Sequence, residues 1–168
     1  MAALDALGDW PVPNAAAAVV APSGVLASHG DTTREFVLAS VTKPLVARAV
    51  QIAIEEGVVD LDTAAGPPGS TVRHLLAHAS GLSMHSNHSL AKPGARRMYS
   101  NYGFAVLAQT VQQAAGIEFG QYLTEAVCEP LGMTATRLRG GARAAGFGAT
   151  STVADLAEFA ADLLRPAT

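Results

Sequence analysis

The chain has 168 residues, 49% hydrophobic and 15% charged, which excludes disorder driven by low hydrophobicity and high charge and provides enough chain for one domain with a buried core. Eleven Lys and Arg against fourteen Asp and Glu give a net charge of -3. With no basic run and few aromatic residues for base stacking, nucleic acid is not an expected partner.

Met1 to Trp10 carries no basic n-region, and no apolar run reaches the roughly 18 residues of a membrane span. The expectation is a cytoplasmic protein with no transmembrane segment; a chain from which a signal peptide had been removed would read the same way and be exported. Ala15 to Ala21 and Val25 to His29 are short β-prone runs separated by Pro22-Ser23-Gly24, which predicts an antiparallel hairpin. Thr32 to Leu38 is a candidate third strand. The pattern then changes: Leu45, Ala49, Ile52 and Ala53 recur at helical spacing until Gly57, predicting a helix from near Ser40 to Glu56.

Ala64 to Gly69, with Pro67 and Pro68, reads as a loop, after which Ser70 or Thr71 caps a short helix carrying Val72, Leu75 and Leu76 and ending by Gly81. Met84 to Gly94 is polar and reads as an exposed loop. Asn101 to Ala115 places Phe104, Leu107, Ala108, Val111 and Ala115 on one face, with Gly116 past the end and Asn101 as a candidate N-cap. Phe119 to Val127 predicts a helix stopped near Pro130. Cys128, the one cysteine, lies in this apolar stretch and reads as a small buried hydrophobe that cannot close an intrachain disulfide. Arg137 to Gly148 reads as a loop. Ser151 or Thr152 caps a last helix whose buried face is Leu156, Phe159, Ala160, Leu163 and Leu164.

Strands come first and helices after them, which points to an α+β fold. Two or three strands cannot form a stable sheet core without more strands or another covering surface. The chain therefore reads as unfinished at its C-terminus.

Ser40-Val41-Thr42-Lys43 sets a hydroxyl and an ammonium group three residues apart at a helix start, on one face and within reach of each other. A serine hydroxyl is a weak nucleophile until a neighbouring base takes its proton, and helix N-terminal N–H groups stabilise the negative charge that develops. The alternative is a capping serine beside a solvated lysine, and Pro44 supports only the placement at a helix start. Tyr99-Ser100-Asn101 follows the polar loop, so the Tyr99 hydroxyl and the Asn101 amide can project from a loop-to-helix junction. A tyrosine serves as a general acid or base when neighbouring positive charge lowers its pKa, and Lys43 can supply that charge.

Together these two motifs resemble the serine β-lactamase and penicillin-binding-protein superfamily, in its class C β-lactamase, D,D-peptidase and esterase branch. His74-Leu75-Leu76-Ala77-His78-Ala79-Ser80-Gly81-Leu82, Pro130-Leu131-Gly132-Met133-Thr134-Ala135-Thr136 and Gly148-Ala149-Thr150-Ser151-Thr152-Val153-Ala154-Asp155-Leu156 are also similar, and the resemblance runs from about Ala15 to Leu164. It implies a mixed α/β sandwich, an antiparallel sheet flanked by helices with an all-helical region. On that basis residues 1–168 form one domain: 1–59 the sheet-forming part and nucleophile helix, 60–143 the helical region, 144–168 a return helix. It implies further that Ser40 is the acylated nucleophile and Lys43 its base. Tyr99 would shuttle the proton to and from the leaving group, and Asn101 would hold the substrate amide or the lysine. Whether Lys43 or Tyr99 takes the serine proton is left open by the motif.

The family's third motif, Lys or His followed by Thr or Ser and Gly, does not occur in these residues. In the family that strand follows the segment resembling Gly148 to Leu164 and supplies one of two oxyanion-hole N–H groups, so the chain reads as an N-terminal portion of a longer protein. The separation of Ser40 from Tyr99 is shorter than usual, which implies a trimmed helical insertion and a more open site.

The expected function is a serine hydrolase acting through an acyl-enzyme on an ester, amide or β-lactam, with a small-molecule or peptide-like acyl substrate and no cofactor. The alternative is a catalytically inactive penicillin-binding-like module that binds without turnover. His74 and His78 are four apart and could ligate zinc, but Leu75 stands where a His-Glu-x-x-His site has its glutamate, so packing or hydrogen bonding is the preferred reading and no metal is expected. His85 and His88 are expected to face water.

Overall fold

The computed structural model describes residues 2–165. The chain forms two compact units, one comprising Met1–Val37, Cys128–Thr136 and Thr150–Thr168, the other Leu38–Val127 and Arg137–Ala149. Helices and small antiparallel sheets make the architecture α+β.

In the first unit, after the short helix α1 (Ala2–Asp5), strands β1 (Ala17–Ala21) and β2 (Gly24–His29) form the expected hairpin, in register from Ala17 opposite His29 to Ala21 opposite Gly24, with an irregularity between Val19 and Val20. The expected third strand over Thr32 to Leu38 shrinks to β3 (Phe36–Val37). Its first half is taken by Asp31, whose Oδ1 accepts from the Thr33 N–H at 3.0 Å and the Thr33 hydroxyl at 2.7 Å, a local turn that competes with strand pairing. Phe36 pairs with Ser151 and Val37 with Thr150. Those partners belong to β5 (Ala149–Ser151), a strand without a local pattern in the sequence.

Thr152, rather than Ser151, caps the last helix, α6 (Val153–Leu164), its side chain accepting from the Asp155 N–H at 3.1 Å. Asp155 is buried and accepts from the Ala135 N–H at 2.9 Å and the Thr136 hydroxyl at 2.7 Å. That pairing sets the rotation of α6. Asp155, Phe159 and Asp162, at i, i+4 and i+7, lie on the buried stripe, while Leu156 and Ala160 are half-buried. Leu163 and Leu164, expected inside, are 55% and 52% exposed. Hydrophobic periodicity alone misplaced them because a satisfied buried carboxylate outranks two leucines in fixing the face.

In the second unit α2 spans Thr42–Glu55, and Leu45, Val46, Ala49, Val50 and Ala53 are wholly buried along it. Helix α3 (Val72–Leu76) stops short of Gly81, since His78 itself adopts the left-handed conformation at φ 57°; Thr71 stands at its N-cap without a side-chain capping bond. Helix α4 (Asn101–Ala115) runs as expected to a left-handed Gly116, but its N-cap is Ser100, whose Oγ accepts from the Gly103 N–H at 2.8 Å. Asn101, the expected cap, is one residue inside. Helix α5 (Phe119–Leu123) continues into a π-turn over Thr124–Cys128. The expected loop from Arg137 to Gly148 holds β4 (Arg137–Leu138) and a 3₁₀ turn over Gly141–Ala144. Leu45, Leu75, Leu107, Val111, Phe119 and Leu123 make the core beneath the site described next.

Chemical denaturation distinguishes the two determinants of α6. Thr152→Ala is expected to lower stability by about 1 kcal/mol through loss of the cap, and Leu163→Ala to stay within about 0.5 kcal/mol because the side chain is already in solvent.

Candidate active site

Ser40 sits in a single 3₁₀ turn, Ala39–Val41, that leads into α2. Ala39 just before it is left-handed at φ 46°, a costly conformation for a residue with a Cβ. Three bonds hold the turn there: Leu38 N–H to the Ala149 carbonyl at 2.9 Å, Val41 N–H to the Leu38 carbonyl at 3.0 Å, and Ala149 N–H to the Thr42 hydroxyl at 3.0 Å. The result is an exposed serine on an anchored backbone.

One helical turn on, Lys43 is only 6% exposed. Its Nζ donates to Asn101 Oδ1 at 2.7 Å and to the Gly146 carbonyl at 2.6 Å, and lies 3.4 Å from Ser40 Oγ. An ammonium group has three N–H bonds and no lone pair; all three find an oxygen here. The group also lies 4.4 Å from the centre of the Tyr99 ring and 5.6 Å from that of Phe104, within cation–π range.

Tyr99 projects from the segment before α4, with its hydroxyl 2.6 Å from Ser40 Oγ. Burial pushes its pKa up, but Lys43 and the bond to Ser40 outweigh that effect and hold the phenol below its ordinary value of 10.0. Because Ser100 caps α4, the Asn101 amide is free to receive Lys43. The structure therefore brings Ser40, Lys43, Tyr99 and Asn101 to one place, within the second unit.

Four participants escaped the sequence reading. The Gly146 carbonyl holds Lys43, and a Cβ at Gly146 would lie 3.0 Å from both the Asn101 Cα and its carbonyl oxygen, so glycine serves close approach here rather than a positive φ. Thr42 anchors Ala149. Ser100 caps α4 and also donates to the Ser83 carbonyl at 2.6 Å. His78 lies behind Tyr99, its ring centre 4.5 Å from the tyrosine's and 5.0 Å from that of Phe104; burial, then the charges of Lys43 and Arg97, push it down to about 4. Thr42, Ser100 and His78 lie inside the quoted motifs without a role attached to them, and Gly146 acts through a backbone acceptor, which carries no residue signature beyond the small-residue run Ala144-Ala145-Gly146.

The histidines do not gather into one cluster. His74 Nδ1 is 3.0 Å from the Thr71 hydroxyl, and His78 Nδ1 accepts the Ser100 N–H at 3.2 Å. His85 and His88 are exposed. Among the described residues no three His, Cys, Asp or Glu side chains converge as a metal site, and no helix is long and apolar enough to cross a membrane.

Gly146→Ala is expected to cost about 1–3 kcal/mol by overpacking, measured by urea unfolding. In the same variant the Asn101 side-chain amide resonances should shift, because the added methyl pushes against the residue that receives Lys43.

The Beta-lactamase family model matches residues 8–168. The chain is 28% identical over 140 residues to Penicillin-binding protein 4* of Bacillus subtilis (strain 168), covering 64% of this chain and 31% of that protein. Among solved structures it is similar to a β-lactamase from Mycobacterium bovis, 77% identical with a TM-score of 0.97, over 98% of this chain and 61% of that one. An octameric penicillin-binding protein homologue from Pyrococcus abyssi shares the fold at a TM-score of 0.81 and 19% identity, over 99% of this chain and 55% of that one. The chain thus spans under a third of the curated relative and about three-fifths of the M. bovis structure.

Proposed function

The chain belongs to the β-lactamase family, within the serine hydrolase superfamily, and on that premise we propose that it acts through an acyl-enzyme formed on Ser40, taking an ester, amide or β-lactam as substrate. The observation that carries this reading is that Ser40 Oγ stands 2.6 Å from the Tyr99 hydroxyl while every N–H of Lys43 faces an acceptor.

That arrangement favours Tyr99 as the acylation base. In its ammonium form Lys43 can donate to all three oxygens around it, and in that form it has no lone pair to offer Ser40. No Asp or Glu occurs anywhere between Asp62 and Glu118, so that stretch, which holds Tyr99 and Asn101, offers no carboxylate base. The His78 Nδ1 lone pair is occupied by the Ser100 N–H. A Tyr99 phenolate beside the Lys43 ammonium is left as the group able to take the Ser40 proton.

In the proposed reaction Ser40 Oγ attacks the acyl carbon as its proton passes to the Tyr99 oxygen. The tetrahedral adduct collapses when the leaving nitrogen or oxygen takes that proton from Tyr99, giving the Ser40 ester and restoring the phenolate. Water then attacks the ester, Tyr99 again accepting a proton and returning it to Ser40 Oγ. Lys43 stabilises the phenolate throughout, Asn101 and Gly146 hold the lysine, and the Ser40 backbone N–H can face the oxyanion. The names of the relatives, a penicillin-binding protein and a β-lactamase, support acyl substrates of this type.

Intact-mass measurements after incubation with a fluorophosphonate and with a penicillin test the reading. The expected result is one probe mass on Ser40, absent from Ser40→Ala. Reversible penicillin binding without an adduct, unchanged in Ser40→Ala, would instead establish a binding module. The labelling rate should rise with pH through the Tyr99 ionisation, centred below the ordinary phenol value of 10.0. Tyr99→Phe should remove that rise and slow labelling by about 10²–10⁴-fold.

A further inference from the structure

We propose that His78 is the positioning residue for Tyr99, gripping the chain on both sides of it and fixing its ring against Lys43 and Ser40. The inference rests on the reading of Tyr99 as proton carrier and adds the element that holds it in place.

The grip has two hands. The His78 carbonyl accepts the Met98 N–H at 2.6 Å, and its imidazole Nδ1 accepts the Ser100 N–H at 3.2 Å. Met98 and Ser100 flank Tyr99 directly, so one residue fixes the backbone before and after the tyrosine. His78 makes both bonds from the left-handed conformation at φ 57°, rare for a residue with a Cβ although histidine is among those enriched there. Between the two bonds the imidazole packs against the Tyr99 ring, with Phe104 also against it. The Tyr99 ring is thus braced by His78 and faced by the Lys43 ammonium.

The chemistry specifies a tautomer. A backbone N–H only donates, so the Nδ1 that receives it must carry the lone pair and the ring proton must sit on Nε2. Lys43 and Arg97 are the charges that act on the ring, and both oppose its protonation. A protonated imidazole would lose its acceptor and release Ser100. Ser100 in turn caps α4 and bonds the Ser83 carbonyl, so its placement carries Tyr99 and Asn101 together.

Nuclear magnetic resonance on the full chain tests this without turnover. In the wild type the His78 ring should be the Nε2–H tautomer at pH 7, with Nδ1 coupled to the Ser100 amide; an Nδ1–H tautomer would overturn the proposal. His78→Phe keeps a ring and removes the acceptor. In that variant the Tyr99 Cζ titration should move up toward the ordinary phenol value and fluorophosphonate labelling should fall by at least about tenfold. His78→Asn tolerates the left-handed conformation and restores an acceptor, so it should recover most of both losses. A folded His78→Phe protein with an unchanged Tyr99 titration would also overturn the proposal, whereas loss of labelling in every protein, wild type included, with the tautomer and titration as expected, counts against the acyl-enzyme reading and leaves the grip standing.

Discussion

A buried ammonium is the constraint on which the site is built. Lys43 is almost removed from solvent, and a charge in that position is tolerated only when its hydrogen-bonding groups are fully met. The three oxygens that meet it come from three stretches of chain: the turn before α2, the first residue of α4, and the glycine at 146. None is close to another in sequence, so satisfying one charge fixes the relative placement of three segments. Glycine eases this approach, since a Cβ there would press on Asn101 at 3.0 Å. The left-handed Ala39 is held because Leu38 and Thr42, on either side of Ser40, both bond Ala149. Backbone strain beside Ser40 is thus sustained by the same packing that houses the lysine.

What was legible in the sequence divides along physical lines. The hairpin, α2 and α4 follow from turn chemistry and helical periodicity, signals carried by neighbours in the chain. Ser40 with Lys43 and Tyr99 with Asn101 stood out only as local pairs at helix starts; their roles were implied by the resemblance they carried, which extends to the family now established. The short strands β3, β4 and β5 were not legible at their true bounds, because segments of two or three residues are defined by a partner elsewhere and not by a local pattern. The rotation of α6 was misread where a buried carboxylate, Asp155, counted for more than the leucines at its end.

The N-cap of α4 shows how a one-residue error matters to chemistry. Ser100 and Asn101 are both good capping residues, and local propensity does not choose between them. Ser100 is held from two sides, by the Ser83 carbonyl and by His78, which places it at the cap. Had Asn101 capped the helix, its carbonyl oxygen would have been spent on a backbone N–H. One acceptor of Lys43 would then be missing.

The acid-free stretch between Asp62 and Glu118 completes this logic. A carboxylate beside Lys43 would pair with it and cancel much of its field at short range. Neutral acceptors, an amide oxygen and a peptide carbonyl, satisfy the hydrogen bonds of the ammonium without cancelling its charge. The charge then acts on the Tyr99 ring, whose centre lies 4.4 Å away, and lowers the cost of making the phenol anionic. The choice of neutral partners for Lys43 is therefore what links the packing of this unit to the acidity of its tyrosine.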